Sequence, residues 1–294
     1  MNRLISQGLG RRTLIMGVLN VTPDSFSDGG LYTSEETASA RARKMIAQGA
    51  DIIDIGGEST RPATFSDQTP LGAEEEIKRI LPVIRRLAKD SPNTPISVDT
   101  YKAEVATAAI EAGAHIINDI SGLTYDPEMA VLAARAGVPV VIMHLLGEPK
   151  NIPLNPTYND VVGEIGAFFE KQIAYAKGQG IAEEQIILDP GIGFGKSAEH
   201  NLEVIRRLAE FKKFGRPILV GPSRKRFLGK LLDGAPPEDR LEGTAAAVAI
   251  SIANGADIVR VHDVRQIARV AKVADAIVRF TSPSRRVECR RFRA

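Results

Sequence analysis

The sequence predicts a single (β/α)8 barrel, and three observations lead there. Eight short apolar runs recur along the 294 residues. Four of them share one plan, in which a helix-like stretch ends at glycine and an apolar strand follows at once: QGADIIDIGG from Gln48, AGAHIINDIS from Ala112, AGVPVVIMHL from Ala136 and NGADIVRVHD from Asn254. Between the runs the apolar spacing lengthens to about 3.6 residues, the repeat of an amphipathic helix. Eight strands alternating with helices over roughly 260 residues indicate a closed barrel, because an open doubly wound sheet of that size has fewer strands.

Taken in order, the first strand is TLIMGVLN from Thr13, and a long glycine-bearing segment, TPDSFSDGGLY from Thr22, follows it. A helix with Ala38, Ala42, Met45 and Ile46 on one face comes next, with a capping box expected at Thr33 and Glu36. The second strand, IIDIGG, leads into another long segment, GGESTRPATFSDQTP from Gly56. Its helix carries Ile77, Ile80, Leu81, Ile84 and Leu87, and Pro82 within it is expected to kink the helix or shift its start. The third to eighth strands are PISVDT from Pro95, HIINDIS, VPVVIMHL, QIILDP from Gln185, RPILVG from Arg216 and DIVRVHD. A helix over Asp160 to Lys177 should bury Val161, Ile165, Phe168 and Phe169. β-Branched runs of this kind suit strands covered on both faces, and the glycine before each suits a left-handed helix cap. The barrel is expected over residues 13–282, with 1–12 as an N-terminal segment and 283–294 as a basic tail.

Composition excludes several classes. The 38 basic and 36 acidic residues are mixed along most of the chain, a net charge of +2, so no broad basic face exists for nucleic acid. Arg285, Arg286, Arg290, Arg291 and Arg293 read as a solvated tail, with a membrane or partner contact as the alternative. The one cysteine, Cys289, cannot form an intrachain disulfide, and the run Leu14 to Leu19 is too short for a membrane span. A cytoplasmic protein with no membrane partner is expected. Neither HExxH nor CxxC occurs, which argues against zinc.

In a (β/α)8 barrel the site lies at the C-terminal ends of the strands. Here the runs end at Asn20, at Asp54 with Glu58 beyond, at Asp99, at Asn118 and Asp119, at His144, at Asp189, at Ser223 to Lys225, and at Arg260 with His262. Solubility alone would favour Glu and Lys over this choice. Asp99, Asn118 and Asp189 supply acceptors suited to the amino-amidine edge of a heterocycle, whereas Lys225, Arg260, His262, Arg61 and Asn20 can face phosphate oxygens. The two long segments at this end have the length of lids. His115 begins a strand, a structural position, and His200 begins a helix. Gly191, Gly193 and Gly195 lack the spacing of a dinucleotide fingerprint and read as a close-approach loop under the ligand.

MGVLNVTPDSFSDGG from Met16 and DIGGESTRP from Asp54 resemble the signature stretches of the dihydropteroate synthase family. SVDTYK, HIINDISG, LDPGIGFGK, GPSRKRFLG and RVHDV resemble its further motifs, in its order, from about Thr13 to Ala276. The resemblance implies condensation of a dihydropterin pyrophosphate with p-aminobenzoate. It implies that Asp99, Asn118, Asp189 and Lys225 hold the pterin, and that Asn20, Thr60, Arg61, Arg260 and His262 face the pyrophosphate. Arg61, Pro62, Phe194, Ser223 and Lys225 would face p-aminobenzoate, with Thr60 beside them. Asp99, Asp189, Lys225 and Arg260 would carry the catalysis. It further implies Mg2+ on Asn20 and a homodimer through C-terminal helices, with Val248, Ile250 and Ile252 as candidates.

Two stretches depart from the family pattern. LLGEP follows His144 where a Met and a polar residue are common, so His144 is expected behind the pocket wall; Ala63 stands where glycine commonly follows the proline. A corrinoid methyltransferase would share the Asp and Asn pterin contacts but not the STRP, SRK and RVHD segments. A non-catalytic pterin binder would be signalled by loss of Arg61, Lys225 or Arg260, and all three are present.

Overall fold

The computed structural model describes residues 8–22, 31–58, 71–149, 151–153 and 155–279. Thr60, Arg61, Pro62, Ala63, Cys289 and the basic tail lie outside the described residues. Eight strands form one parallel sheet: β1 (Leu14–Asn20), β2 (Ile52–Gly56), β3 (Ile96–Asp99), β4 (Ile116–Asp119), β5 (Val140–Met143), β6 (Ile186–Asp189), β7 (Leu219–Val220) and β8 (Ile258–Val261). Their order is β6-β5-β4-β3-β2-β1-β8-β7, and a parallel bridge between Leu188 and Ile218 joins the two ends into a barrel. β7 is short for a local reason. Pro217 has no N–H, so it offers the ladder only its carbonyl, which accepts from Leu188 N at 2.9 Å. The next donor, Ile218 N, goes to the Asp257 carboxylate at 2.9 Å.

Among the described residues the surrounding helices are α1 (Leu31–Ala47), α2 (Ala73–Asp90), α3 (Ala103–Glu111), α4 (Glu128–Ala136), α5 (Val161–Gly178), α6 (Ala198–Arg206), α7 (Arg226–Leu231), α8 (Leu241–Ala253) and α9 (Val264–Val278). The glycines expected to end helices, Gly49, Gly113, Gly137 and Gly255, all have positive φ. A side chain is disfavoured there, and the turn aims each following residue into a strand. Asp160 caps α5, accepting from Val162 N at 3.2 Å. In α5, Val161, Ile165 and Phe169 are buried and Phe168 packs partly exposed against them.

Two local expectations need correction, and for Pro82 one of the two alternatives, a shifted helix start, falls away. α1 begins at Leu31, so Thr33 is the third residue of the helix and not its N-cap position. α2 begins at Ala73, well ahead of Pro82, and continues through it. Proline removes one helix hydrogen bond there, while Ile80, Val83, Ile84 and Leu87 anchor the helix to the core, with Leu81 only half-buried. Val248 and Ile252 are core residues of α8, 0% and 1% exposed, leaving Ile250 as the outward one at 51%.

The two-residue repeat of the strands positions the site. Leu14, Met16, Ile52, Ile116, Val141, Ile187, Leu219 and Ile258 fill the lower barrel as one cluster, closed below by Leu9. Each fully buried aliphatic side chain there contributes about 1.5–3 kcal/mol. Two residues further along the same faces stand Asp54, Asn118, Met143, Asp189 and Arg260, and Asp99 follows Ser97 in the same way. An apolar floor thus carries a polar upper layer.

Candidate active site

Arg260 is the centre of one half of this layer. Its Nε donates to Asp54 Oδ2 at 2.6 Å and its Nη2 to Asp99 Oδ2 at 2.5 Å. Asn118 Nδ2 donates to the same Asp54 oxygen at 3.1 Å. Asp54 and Asp99 are buried, so the half-buried guanidinium is their counter-charge. Burial pushes the Asp99 carboxyl up while Arg260 opposes the rise, and burial tends to lower Arg260 while Asp54 and Asp99 more than reverse it. Asp54 Oδ1, Asp99 Oδ1 and Ser97 Oγ are buried without hydrogen-bond partners among the described residues. Unpaired polar atoms are costly in a core and mark this layer as a place where polar partners are wanted.

The other half is carried by loops beyond β6 and β7. Asp189 Oδ1 accepts from Gly191 N at 2.7 Å, and burial pushes its carboxyl up to about 6. Lys225 lies with Nζ 3.9 Å from the centre of the Phe194 ring, a cation–π contact. Burial, with Arg260 adding to it, pushes the Lys225 ammonium down to about 8; Asp189 and Asp99 act the other way. Tyr101, Ile120, Met143 and Ile152 cluster with Phe194, and Leu145 of the departing LLGEP stretch packs against them. A cavity of about 560 Å3 borders this loop, lined by Gly193, Gly195, Lys196, Arg226 and Lys230 among others.

The Ser223–Lys225 turn is held from behind. Arg224 adopts φ 58°, a strained conformation for a non-glycine residue. Its N donates to Thr244 Oγ1 at 3.1 Å, its guanidinium grips Asp263 at 2.9 and 2.6 Å, and its carbonyl accepts from Arg240 at 2.9 Å. Ser223 Oγ accepts from His262 N at 3.2 Å and lies 3.0 Å from its Nδ1. Burial, reinforced by Arg260, pushes the His262 imidazolium down to about 3, so the ring is neutral in this state. Asn20 stands exposed at the end of β1, level with Gly56 in the register.

Strand parity also sorts the residues that sequence alone groups together. Asp119 and His144 are on the opposite face from Asn118 and Met143. Asp119 therefore caps its own turn, accepting from Ser121 N, Ser121 Oγ and Leu123 N at 2.8, 2.7 and 2.9 Å. His144 lies behind the Asp189 loop, 3.0 Å from Lys196 Nζ. His115 Nδ1 accepts from Ile96 N, and His200 closes the N-terminus of α6 with Ser197, both at 3.2 Å. The glycine loop packs closely on protein: a Cβ on Gly191 would lie 2.0 Å from His144 O. Sequence reasoning names Asp54 only as a strand end and Lys196 only within a motif, and assigns a role to neither. The position of Asp54 two residues after Ile52 on the inward face is the available signal; for Lys196 it is only its place at the end of LDPGIGFGK.

A barrel whose catalytic end gathers buried carboxylates, an amide, a desolvated lysine and an arginine is that of an enzyme for a small polar heterocycle bearing an anion. The model of a family described as pterin binding enzyme matches residues 16–262. A dihydropteroate synthase of Synechocystis is 49% identical over 92% of both chains. Among solved structures, a Clostridium difficile dihydropteroate synthase crystallised in the presence of pteroic acid has a TM-score of 0.85 at 46% identity, covering 92% of this chain and 99% of the other. The Xanthomonas albilineans enzyme with 4-aminobenzoic acid has a TM-score of 0.84 at 41% identity, covering 92% and 94%. The chain belongs to the pterin-binding enzymes and, among them, to the dihydropteroate synthase family.

Proposed function

We propose that this site joins a dihydropterin pyrophosphate to p-aminobenzoate, giving dihydropteroate and pyrophosphate, a transferase step of folate biosynthesis. The buried Asp189 ending β6, with Lys225 of the turn after β7 stacked on Phe194 of the Asp189 loop and close enough for the two charges to act on each other, is the observation that carries this reading. An ionised Asp189 accepts from the 2-amino and N3 edge of the pterin, with Asn118 and Asp99 beside it, while Lys225 donates on the carbonyl and N5 side. Arg260, His262 and Asn20, with Thr60 and Arg61, face the pyrophosphate. Phe194, Ser223 and Lys225, with Arg61 and Pro62, face p-aminobenzoate.

The C–O bond between the pterin methylene and pyrophosphate breaks, and its electrons leave with pyrophosphate. The arylamine nitrogen then forms the C–N bond to the cationic methylene and releases one proton. Asp189 favours the positive charge that spreads over the ring, and fixed cations favour the departing anion, so positioning and electrostatics suffice without a protein nucleophile.

Among the described residues no group of three or more His, Cys, Asp or Glu could cage a metal. An exposed Asn20 fits a cation that takes one protein oxygen and fills its shell from water and pyrophosphate, as Mg2+ does. Bound there, Mg2+ would neutralise the pyrophosphate.

The protein is further proposed to act in the cytoplasm as a homodimer. Among the described residues no helix is long and apolar enough to cross a membrane. Ile250 on α8 and Val273 and Ile277 on α9 are 51%, 61% and 74% exposed, on two helices packed together. Such a patch suits a two-fold interface. Ile277→Glu should give a monomer by light scattering; an unchanged mass would remove this face from consideration. The activity is tested by pyrophosphate release from dihydropterin pyrophosphate and Mg2+, with and without p-aminobenzoate. Release coupled to dihydropteroate formation is expected, and pterin binding without condensation would overturn the reading.

A further inference from the structure

We propose that Lys196 is a positioning residue, whose ammonium ties the Asp189–Phe194 loop to the end of β5 and so sets both the pterin carboxylate and the acceptor's aromatic wall. The proposal rests on the reading of the pocket given above. Lys196 Nζ donates to Gly191 O at 3.0 Å, Phe194 O at 3.1 Å and His144 O at 3.4 Å, and lies 3.0 Å from His144 Nδ1. All four partners are neutral. Glycines at 191, 193 and 195 have positive φ, and the turns they make bring these carbonyls together around one point. Such a cluster of carbonyl oxygens repels itself unless a cation fills it. The burial that results pushes the ammonium down to about 7, with Lys225 adding to the effect and Asp189 opposing it. Lys196 as a whole is half-buried because it also lines the neighbouring cavity.

What hangs on this knot is the chemistry of the site. Gly191, held through its carbonyl, donates its N–H to Asp189 Oδ1 at 2.7 Å. His144, held through its carbonyl and ring, donates its own N–H to Asp189 O at 2.9 Å. Phe194, held through its carbonyl, presents the ring over which Lys225 Nζ lies. The loop has no strand partner of its own beyond Asp189; its other ties are Phe194 N to Gly191 O at 3.1 Å, Gly193 N to Asn201 Oδ1 at 2.6 Å and Tyr158 Oη to Gly195 O at 2.8 Å, none of which holds the Phe194 or His144 carbonyl. Loss of the Lys196 charge would leave three carbonyls facing one another and free the loop at both functional ends. A displacement of about 1 Å at a reacting centre costs on the order of 100-fold in rate.

The test is steady-state kinetics and thermal denaturation of Lys196→Ala beside the wild type, with and without n-propylamine, which replaces the atoms removed, and 1-propanol, its neutral counterpart. The expected result is a melting temperature near that of the wild type, kcat/KM lower by about 100-fold and recovery with n-propylamine alone. Wild-type kcat/KM in the variant, or equal recovery with both additives, would overturn the proposal. Should Lys196→Ala not fold, Lys196→Met keeps the stem and removes only the charge, and the same reduction in kcat/KM is expected; wild-type kcat/KM or failure to fold there too assigns the residue to stability and overturns the proposal. Absence of dihydropteroate formation by the wild type itself would instead defeat the reading of the site.

Discussion

On the β2, β3, β4 and β8 side of the pocket, Asp54, Asp99, Asn118 and Arg260 leave the strands directly and bond to one another. On the β6 and β7 side, Asp189 is a strand residue too, but its partner Gly191 and its neighbours Phe194 and Lys225 are carried by loops. The first group is an interlocked electrostatic unit, in which one guanidinium bonds to two buried carboxylates and offsets part of their charge. The second places single desolvated charges, pushed toward neutrality, where a ligand can meet them. The difference separates what a substitution costs the fold from what it costs the reaction.

The largest effect is expected at Arg260. Arg260→Ala should abolish turnover and also destabilise the protein by about 3–5 kcal/mol, because two buried carboxylates lose their counter-charge. Urea denaturation measures the second effect, and an unchanged midpoint would break the distinction between the two halves. Lys225→Ala should lower kcat/KM by about 10²–10³-fold while leaving the urea midpoint unchanged. Destabilisation as large as that of Arg260→Ala would contradict the loop-borne assignment.

A smaller and graded effect is expected from pH. Asp189 works ionised and its carboxyl is pushed up to about 6, so kcat/KM should fall as pH drops through that value. Lys225 works protonated and is pushed down to about 8, so kcat/KM should fall again as pH rises through 8. In Lys225→Ala the limb near 8 should vanish, leaving the acid limb and an alkaline limb near 7, where the Lys196 ammonium loses its proton. Persistence of the limb near 8 in that variant would assign it to a group other than Lys225.

The same contrast explains what the sequence could disclose. Strand ends such as Asp99, Asn118, Asp189 and Arg260 are legible because an apolar run announces them and a two-residue repeat aims them. That repeat also carried information about Asp54, inward two residues beyond Ile52, and about Asp119 and His144, which it turns outward. Loop residues follow no repeat. Lys196 is one lysine among surface-compatible neighbours until three glycine turns gather carbonyls around it, and Arg224 becomes a support only through Asp263, Thr244 and Arg240, distant in the chain. At Pro82 the helix start that the proline suggested lies instead at Ala73, because Ile80, Val83, Ile84 and Leu87 hold the helix to the core on both sides of it.

The most direct test of the pocket is the calorimetric affinity of 6-hydroxymethylpterin for the wild-type protein and for Asp189→Asn. An amide in place of the carboxylate turns one acceptor into a donor facing a donor edge, so binding should weaken by about 100-fold, the loss of one or two charge-assisted hydrogen bonds. Equal affinity in the two proteins would mean that the pterin edge does not meet Asp189, and the arrangement of the site described above would be wrong.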